Sequence, residues 1–306
     1  MEHFQLKIRV GLLDLLPAKS CNSSLDVEIV GIGQLGIPTE EYLTFCDRPV
    51  YSPTANEECR SLILTSRKHV ESVVAAYPNG KVILVEDPRA IFIDVAQFLV
   101  REQQLCYSSL LPEHLTVSPD AAISERAHIE SDVRIDAGAV VAAGAVIRSG
   151  TWLQSNASVG ENCVVGPNGI HVYLGQDGRR RTFPHLGGVI VEKEASLGAG
   201  CVVPKGILNS TRIGANTIIG NLCNIGHGAD IGSNVWISTS TAIGGQTWIG
   251  QGVTIALGCA IKDNIVIGDH ANIGMGAVVT KNVGPSQSVF GNPAKTFASV
   301  NAGPRR

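Results

Sequence analysis

The chain has 306 residues, of which 44% are apolar and 17% charged, with a formal net charge of −3. This composition excludes a disordered chain, and the small net charge gives no bulk attraction to nucleic acid or to an anionic membrane. Aromatic residues make up 5% of the chain, which argues against base-stacking surfaces. The length is enough for two domains.

The cysteine pattern and the N-terminal sequence indicate in which cellular compartment the protein is expected. Eight cysteines are scattered without a Cys-x-x-Cys pair, so no zinc site is expected. The N-terminus does not read as a signal peptide, and no apolar run reaches the roughly 18 residues that a membrane-spanning helix needs. We therefore expect a cytoplasmic protein with reduced thiols and no integral membrane segment.

Residues 1–115 show no repeat and are predicted to form a small α/β domain. Three apolar runs predict buried strands, at 27–30, 62–64 and 82–85. A helix is expected from a cap at Ser66 to about Ala76, with its inward side chains at Val70, Val73 and Val74. A second helix is expected to start with Asp87 as cap and Pro88 at its first position. Its buried face is expected to present Ile91, Val95, Phe98 and Leu99.

A strict repeat follows. From Ile213 to Val279 an aliphatic residue occupies every sixth position without a failure. A helix repeats apolar positions near 3.6 residues and an exposed strand near 2, so neither explains the period. A hexapeptide repeat is typical of a parallel β-helix, with three short strands and three corners in each coil of about 18 residues. Stacked coils then lie about 4.8 Å apart.

The repeat starts earlier and its phase fails twice. Blocks at 123–165 and 191–203 carry the same period, which gives seven to eight coils in all. The stretch Gly166–Gly188 holds two residues beyond whole hexads and is expected to be an external excursion with a turn. The stretch Pro204–Arg212 holds four extra residues and is expected to be a bulged-out corner. Such loops tend to bind or catalyse, and a tolerated surface insertion is the alternative.

One histidine stands out within the repeat. His227 lies two residues after Ile225, on or near a corner, between two glycines. Gly245 comes eighteen residues later and is expected to stack beside it, one coil on. An imidazole takes a proton from an attacking amine or hydroxyl, and a bare backbone amide stabilises the oxyanion of a thioester carbonyl. The pair suits acyl transfer; a solvated corner histidine is the alternative.

Other polar residues give weaker indications. His185, at the return of the first insertion, is a candidate ligand contact, whereas His270 reads as a surface residue. The arginines at 179–181 are candidates for holding phosphate, with a solvated charge run as the simpler interpretation. No histidine is spaced closely enough to His227 for a three-histidine metal site, so no metal is expected.

Together these segments resemble the UDP-3-O-acyl-glucosamine N-acyltransferases of lipid A biosynthesis. The similar stretches are Val85–Pro88 leading into Ala96–Leu99, then Gly166–Gly169, Pro184–Gly187, Lys205–Thr211 and Asn224–His227. The resemblance implies a left-handed β-helix, a homotrimer and a small N-terminal nucleotide-binding domain. It also implies that His227 is the general base and that the Gly245 amide is the oxyanion donor.

The resemblance further implies a set of substrate-binding residues: Phe45, Arg48, Tyr51, Asn168, His185, Lys205, Asn209 and Asn221. Three departures from the family accompany it. Arg48 stands where the family has an asparagine beside the nucleotide base, and Asn264 aligns with a second histidine of the family. After Phe290–Lys295 the sequence resembles CoA-dependent sugar acetyltransferases instead of the helical extension that engages acyl carrier protein.

The sequence therefore predicts a mainly β protein. An α/β nucleotide-sugar-binding domain is expected over 1–115, a hexapeptide β-helix acyltransferase domain over 116–284, and a C-terminal tail over 285–306. The active sites are expected between subunits of the homotrimer, because a single convex solenoid face offers little concavity.

The predicted activity is an N-acyltransferase of lipopolysaccharide or O-antigen biosynthesis. An acyl thioester, expected to be acyl-CoA, would donate to the amine of a UDP- or dTDP-linked amino sugar. The amine would attack directly, with no bound cofactor. One alternative is the UDP-3-O-acyl-glucosamine N-acyltransferase itself, with acyl carrier protein as donor. Another is a non-catalytic hexapeptide-repeat scaffold.

Overall fold

The computed structural model describes residues 3–11, 28–36, 40–51, 55–102, 105–107, 117–293 and 295–296. Two compact units divide the chain, one formed by residues 1–110 with 170–186 and the other by 111–169 with 187–306. Residues 170–186 thus cluster with the N-terminal unit although they lie between two stretches of the repeat. The expected junction near residue 115 and the expected tail beyond Thr296 lie outside the described residues.

The N-terminal unit contains a six-stranded sheet. Its strands are β1 His3–Gly11, β2 Glu28–Gly33, β3 Tyr42–Cys46, β4 Leu62–Thr65, β5 Lys81–Leu84 and β6 Leu105–Tyr107. The spatial order is β5-β4-β3-β2-β1-β6, with β1 antiparallel to both of its neighbours and the other pairs parallel. The three predicted strands correspond to β2, β4 and β5. Strand β1 was missed although apolar residues alternate along it, which is typical of a strand.

Two helices are described in this unit, α1 Val70–Ala76 and α2 Pro88–Arg101. The predicted start of α2 is confirmed, since the Asp87 carboxylate accepts a hydrogen bond from the Ala90 N–H at 3.0 Å. The predicted cap of α1 at Ser66 is wrong. The Ser66 carbonyl closes a turn by accepting from the His69 N–H, and the helix begins only at Val70.

The buried faces of both helices differ in part from the prediction. Val73 of α1 is fully buried, but Val74 is 48% exposed. In α2 the predicted Ile91, Val95 and Leu99 are buried, whereas Phe98 is 37% exposed. Phe92 and Ile93 are buried in addition, so the apolar face of α2 is broader than one stripe and is centred away from Phe98.

The second unit is a parallel β-helix whose strands line up in three sheets. The first sheet contains β7 Ala122–Ile123, β10 Val140–Val141, β13 Ser158–Val159, β18 Ser196–Leu197, β21 Ile218–Ile219, β24 Trp236–Ile237, β27 Thr254–Ile255, β30 Asn272–Ile273, β32 Ser288–Phe290 and the antiparallel β33 Lys295–Thr296. The second contains β8 His128–Ile129, β11 Val146–Ile147, β14 Val164–Val165, β19 Val202–Val203, β22 Asn224–Ile225, β25 Ala242–Ile243, β28 Ala260–Ile261 and β31 Val278–Val279. The third contains β9 Val133–Ile135, β12 Thr151–Leu153, β17 Val189–Val191, β20 Thr211–Ile213, β23 Asp230–Ile231, β26 Trp248–Ile249 and β29 Val266–Ile267.

The repeat residues form the core of this unit. Every sixth-position aliphatic from Ile213 to Val279 is at most 4% exposed and stacks on its equivalents in the neighbouring coils. Burying each such side chain stabilises the fold by about 1.5–3 kcal/mol relative to exposure. Cysteines 163, 201, 223 and 259 are buried small side chains in the same core, as predicted. The chain is therefore mainly β, a parallel β-helix of hexapeptide repeats with a small α/β unit.

A candidate active site at one corner of the β-helix

One corner of the β-helix, between the strands of the second and third sheets, carries both breaks in the repeat. The first insertion leaves after β14 and the second after β19, which are neighbours in the second sheet. His227 follows the next strand, β22, and Gly245 follows β25. Four consecutive coils thus carry, at this same corner, the start of the first insertion, the second insertion, His227 and Gly245. We call this corner the histidine corner.

The imidazole of His227 lies against Gly245. A Cβ built on Gly245 would lie 2.7 Å from Nε2, 2.9 Å from Cε1 and 3.1 Å from Cδ2 of the ring. The backbone keeps the two coils in register, since the Gln246 N–H donates to the His227 carbonyl at 2.9 Å. Only glycine leaves room for the ring at this distance. The predicted stacking of Gly245 beside His227 is therefore present in the structure.

Within the described residues, the Gly245 N–H donates no hydrogen bond. The neighbouring backbone approaches it closely, because a Cβ on Gly226 would lie 2.3 Å from the Gly245 nitrogen. An N–H without a protein acceptor is a group that suits stabilisation of a developing oxyanion. The corner thus brings an imidazole and this backbone N–H together on adjacent coils.

A buried threonine ties the second insertion to the residue after His227. The Thr211 hydroxyl donates to the Pro204 carbonyl at 2.6 Å and accepts from the Gly228 N–H at 2.8 Å. Thr211 is 0% exposed, so no water competes for these bonds. The bulged corner predicted for residues 204–212 is therefore closed by the bond between Thr211 and Pro204, and the bond from Gly228 fixes it next to His227.

Two side-chain amides cover Gly228. Asn209 Nδ2 donates to the Gly228 carbonyl at 3.4 Å, and Gln246 Nε2 donates to Asn209 Oδ1 at 3.3 Å. A Cβ on Gly228 would lie 2.2 Å from Gln246 Nε2, so any larger residue would displace the Gln246 amide from its present position. The second insertion thereby reaches across the His227 coil to the Gly245 coil.

A charged network lies on the outer face of the third sheet, in the strands that follow the histidine corner. Arg212 bonds Glu192 at 2.7 Å and Asp230 at 2.7 Å. Burial acts to lower the pKa of Arg212, but the hydrogen bond that Arg212 donates to Glu192 and the charge of Asp230 hold that pKa above its ordinary value. The arginine stays charged, and its two carboxylates balance it, so this face presents little uncompensated charge.

The other predicted binding residues of this unit are placed at different points. Lys205 and Asn209 lie in the second insertion, at the histidine corner, and Asn168 is exposed at the root of the first. Asn221 lies on a different corner, between the first and second sheets, where its Oδ1 accepts from the Ala199 N–H at 2.9 Å. Asn264 follows one coil after Gly245, and its N–H donates to the Gly245 carbonyl at 2.9 Å.

The predicted nucleotide-binding residues belong to the N-terminal unit. Phe45 packs on Phe92 and Phe183 with ring centroids 4.9 and 6.1 Å apart, and the Arg89 guanidinium lies 5.6 Å from its ring. Arg48 is exposed and Tyr51 is 90% exposed. His185, predicted as a ligand contact, is 5% exposed in this unit. The structure therefore places Phe45 in an aromatic cluster and leaves Arg48 and Tyr51 in solvent.

The first insertion contains a β-hairpin, β15 Val172–Leu174 and β16 Arg180–Thr182, which packs on α2. The Tyr173 hydroxyl donates to Asp87 Oδ1 at 2.9 Å, which joins the hairpin to the helix cap. Burial, together with this hydrogen bond and the Asp87 charge, raises the pKa of Tyr173 to about 12. The predicted turn is present, but the insertion does not project freely.

The three arginines at 179–181 differ in their exposure to solvent. Arg179 and Arg180 are exposed, as a solvated run predicts. Arg181 is different, since its side chain is 12% exposed and bonds Asp94 at 2.8 Å and Asp177 at 2.9 Å. The interpretation of the run as wholly solvated is therefore wrong at Arg181, because helix α2 supplies a carboxylate that the local sequence does not reveal.

Sequence reasoning missed two residues of the histidine corner. Gln246 directly follows the Gly244–Gly245 pair, and Thr211 is the first residue at which the repeat resumes after the second insertion. The sequence did offer a reason to consider each residue: Gln246 is polar and adjoins the candidate oxyanion glycine, and Thr211 is polar and ends a loop.

Among the described residues, no group of three His, Cys, Asp or Glu side chains is placed to hold a metal ion. No described helix is both long and apolar enough to cross a membrane.

Comparison with known proteins gives short sequence matches. No protein-family profile matches the chain. The UDP-3-O-acylglucosamine N-acyltransferase of Maricaulis maris is 48% identical over 50 residues, which is 16% of this chain and 14% of that protein. The enzyme of the same name from Lawsonia intracellularis is 39% identical over 64 residues, 19% of each chain. The chain thus matches less than a fifth of the length of these relatives, and over that stretch the predicted resemblance is confirmed.

Among solved structures, the UDP-N-acetylglucosamine O-acyltransferase of Moraxella catarrhalis aligns with a TM-score of 0.49 at 18% sequence identity. The alignment covers 59% of this chain and 73% of that chain.

Proposed function

We propose that the protein is an N-acyltransferase that moves an acyl group from a thioester to the amine of a nucleotide-linked amino sugar. The observation that carries the proposal is the contact of the His227 imidazole with the bare Cα of Gly245, whose N–H donates no hydrogen bond within the described residues. A base and an oxyanion donor on adjacent coils are the two groups that direct aminolysis of a thioester requires.

The proposed reaction has no covalent enzyme intermediate. The neutral amine attacks the thioester carbonyl carbon, and the carbonyl electron pair moves to oxygen, where the Gly245 N–H holds the oxyanion. His227 accepts the proton that the amine nitrogen loses. The tetrahedral intermediate collapses with cleavage of the carbon–sulfur bond, and the imidazolium returns its proton to the departing thiolate. The products are an amide and a free thiol.

The acceptor class rests on the short relatives, whose names specify a UDP-linked acylated glucosamine. We assign recognition of the nucleotide to the N-terminal unit, with Phe45, Arg48 and Tyr51 as proposed contacts and UDP or dTDP as the proposed carrier. Asn168, His185, Lys205, Asn209 and Asn221 stay proposed substrate contacts. The UDP-3-O-acylglucosamine N-acyltransferase activity is the second candidate, because both relatives carry that name.

The donor and the assembly are also proposals. We propose acyl-CoA as the donor, with acyl carrier protein as the alternative, and a homotrimer as the assembly. The cytoplasm is the proposed location, since the buried cysteines 46, 59, 163, 201, 223 and 259 are free thiols. A non-catalytic scaffold is the competing hypothesis, and it gives no reason for an imidazole stacked on a glycine.

A crossed substrate screen tests the proposal. Purified protein is mixed with short-chain acyl-CoA or acyl carrier protein thioesters and with UDP- or dTDP-linked amino sugars. Thiol release is followed by absorbance, and the acylated sugar by mass spectrometry. We expect thiol release that depends on the amino sugar and yields an amide in equal amount. Absence of amide with every donor and acceptor would favour the scaffold.

A further inference from the structure

The side-chain amide of Gln246 donates a hydrogen bond through its nitrogen, whereas its oxygen accepts none within the described residues. Its Nε2 donates to Asn209 Oδ1 at 3.3 Å. Within the described residues, its Oε1 accepts no hydrogen bond. Because the amide lies over Gly228, the residue after His227, this carbonyl oxygen is held at the histidine corner. It is an uncharged acceptor on the coil next to that of the proposed base.

The backbone at this position does not favour glutamine. Gln246 has a φ of 55°, in the left-handed region that glycine and asparagine occupy most readily. The equivalent positions one coil earlier and one coil later are Gly228 and Asn264, with φ of 66° and 57°. Asparagine would therefore suit the backbone better, whereas the longer glutamine reaches Asn209.

We propose that Gln246 is a positioning residue for the attacking amine, which rests on the proposed function. Its Oε1 accepts one N–H of the amine while His227 takes the proton that is lost. Asn209 holds the amide in place through the Nε2 bond, and so couples the second insertion to the acceptor. An amine with two N–H groups meets two acceptors at this corner, which orients its lone pair toward the thioester carbon.

The Gln246 amide carries no charge, and this affects the protonation state of the amine. A carboxylate at this place would stabilise the ammonium form of the acceptor, which has no lone pair for attack. A neutral carbonyl oxygen accepts the N–H without that penalty. The charged side chains on the neighbouring coils of this corner are Lys205, on the coil before His227, and Lys262 and Asp263, on the coil after Gly245. All three are unchanged in the variants below.

The test compares two substitutions of one residue. Gln246→Asn suits the left-handed backbone but shortens the side chain by one methylene, so we expect full resistance to denaturant with kcat/KM lowered by about tenfold or more. Gln246→Glu keeps the reach and the acceptor but adds charge. We expect it to move the acidic limb of the kcat/KM profile to higher pH, while activity on the alkaline side recovers to within about threefold of wild type.

Two further proteins make the outcome decisive. Gln251→Asn changes an exposed glutamine on the next corner of the coil and should leave kcat/KM unchanged. His227→Ala reports on the proposed function itself. Wild-type kcat/KM in Gln246→Asn, with activity abolished in His227→Ala, overturns the role of Gln246 and leaves the proposed function standing. An unshifted pH profile in Gln246→Glu also overturns it. A wild-type protein that acylates no amino sugar overturns both.

Discussion

At the residue scale, the absence of a side chain on Gly245 leaves room for the His227 ring, and the proposed chemistry depends on this contact. In Gly245→Ala the new methyl would lie 2.7 Å from Nε2, so the ring must turn away from its present position. Misplacement of a catalytic group by about 1 Å costs on the order of a hundredfold. We expect kcat/KM to fall by about that factor, measured by thiol release.

Ser233→Thr is the control for this substitution. Ser233 holds the same place on the next corner as His227 does on its own, since the Gly252 N–H donates to its carbonyl as the Gln246 N–H donates to that of His227. One added methyl there should leave kcat/KM unchanged. Equal kcat/KM in Gly245→Ala and wild type would show that the ring position does not limit the reaction.

The residues of the histidine corner could be predicted from the sequence only in part. His227 and Gly245 could be paired from the sequence because eighteen residues are one coil, and the repeat fixes which residues stack. Gln246 and Thr211 could not be assigned, because their partners lie in an insertion whose path the period does not determine. The same limit applies to Arg48 and Tyr51, which the resemblance selects but the structure leaves in solvent.

At the scale of elements, the second insertion depends on one buried hydroxyl. Thr211→Val keeps the shape of the side chain but removes the bonds to Pro204 and Gly228, which leaves a buried carbonyl and N–H unsatisfied. We expect a loss of about 1–3 kcal/mol in unfolding free energy. Because Gly228 follows His227, kcat/KM should fall as well.

Thr217→Val is the matched control, on a corner without an insertion. Its hydroxyl is equally buried, donates to the Gly232 carbonyl at 2.7 Å and accepts from the Val235 N–H at 3.1 Å. Chemical denaturation should show a similar loss of stability in both variants, with kcat/KM lowered only in Thr211→Val. If the two variants keep equal activity, the second insertion has no part in catalysis.

The hairpin of the first insertion has its own test. The pKa of Tyr173 is raised to about 12, compared with about 10 for an ordinary tyrosine, so its contribution to stability is present below pH 10 and is lost as the pH rises through 12. Tyr173→Phe should remove a tyrosine that titrates near 12 in the spectrophotometric titration. It should also flatten the fall in unfolding free energy between about pH 10 and 12. Removal of a tyrosine that titrates near 10 instead would contradict the contact with Asp87.

The period of six predicts the short strands of the β-helix more reliably than it predicts the segments inserted between them. A residue that must be aliphatic every six positions locates each short strand, and the structure has one at each predicted place. The hairpin was not predictable as such, because Tyr173 bonds the cap of α2 and Arg181 bonds Asp94 within α2, both far away in sequence. In the N-terminal unit, local patterns located α2 and its cap but misplaced the start of α1, where no repeat constrains the register.

At the scale of the whole molecule, stability is shared among coils that contact only their neighbours. Ile225 is fully buried on the His227 coil, and Ile225→Ala should lower the unfolding free energy by about 2–5 kcal/mol. Ile218 is 54% exposed, and Ile218→Ala should change it by about 0.5 kcal/mol or less. Chemical denaturation of the two variants measures both effects. Equal losses would contradict the inward register of the repeat.

The proposed acyl transfer depends most on His227 as the base. The most direct test is kcat/KM of His227→Ala beside His270→Asn, whose asparagine tolerates the left-handed backbone at 270. We predict a loss of about 10²–10⁴-fold in His227→Ala and wild-type activity in His270→Asn, with circular dichroism unchanged in both. Wild-type kcat/KM in His227→Ala would contradict the assignment of the histidine corner as the site of acyl transfer.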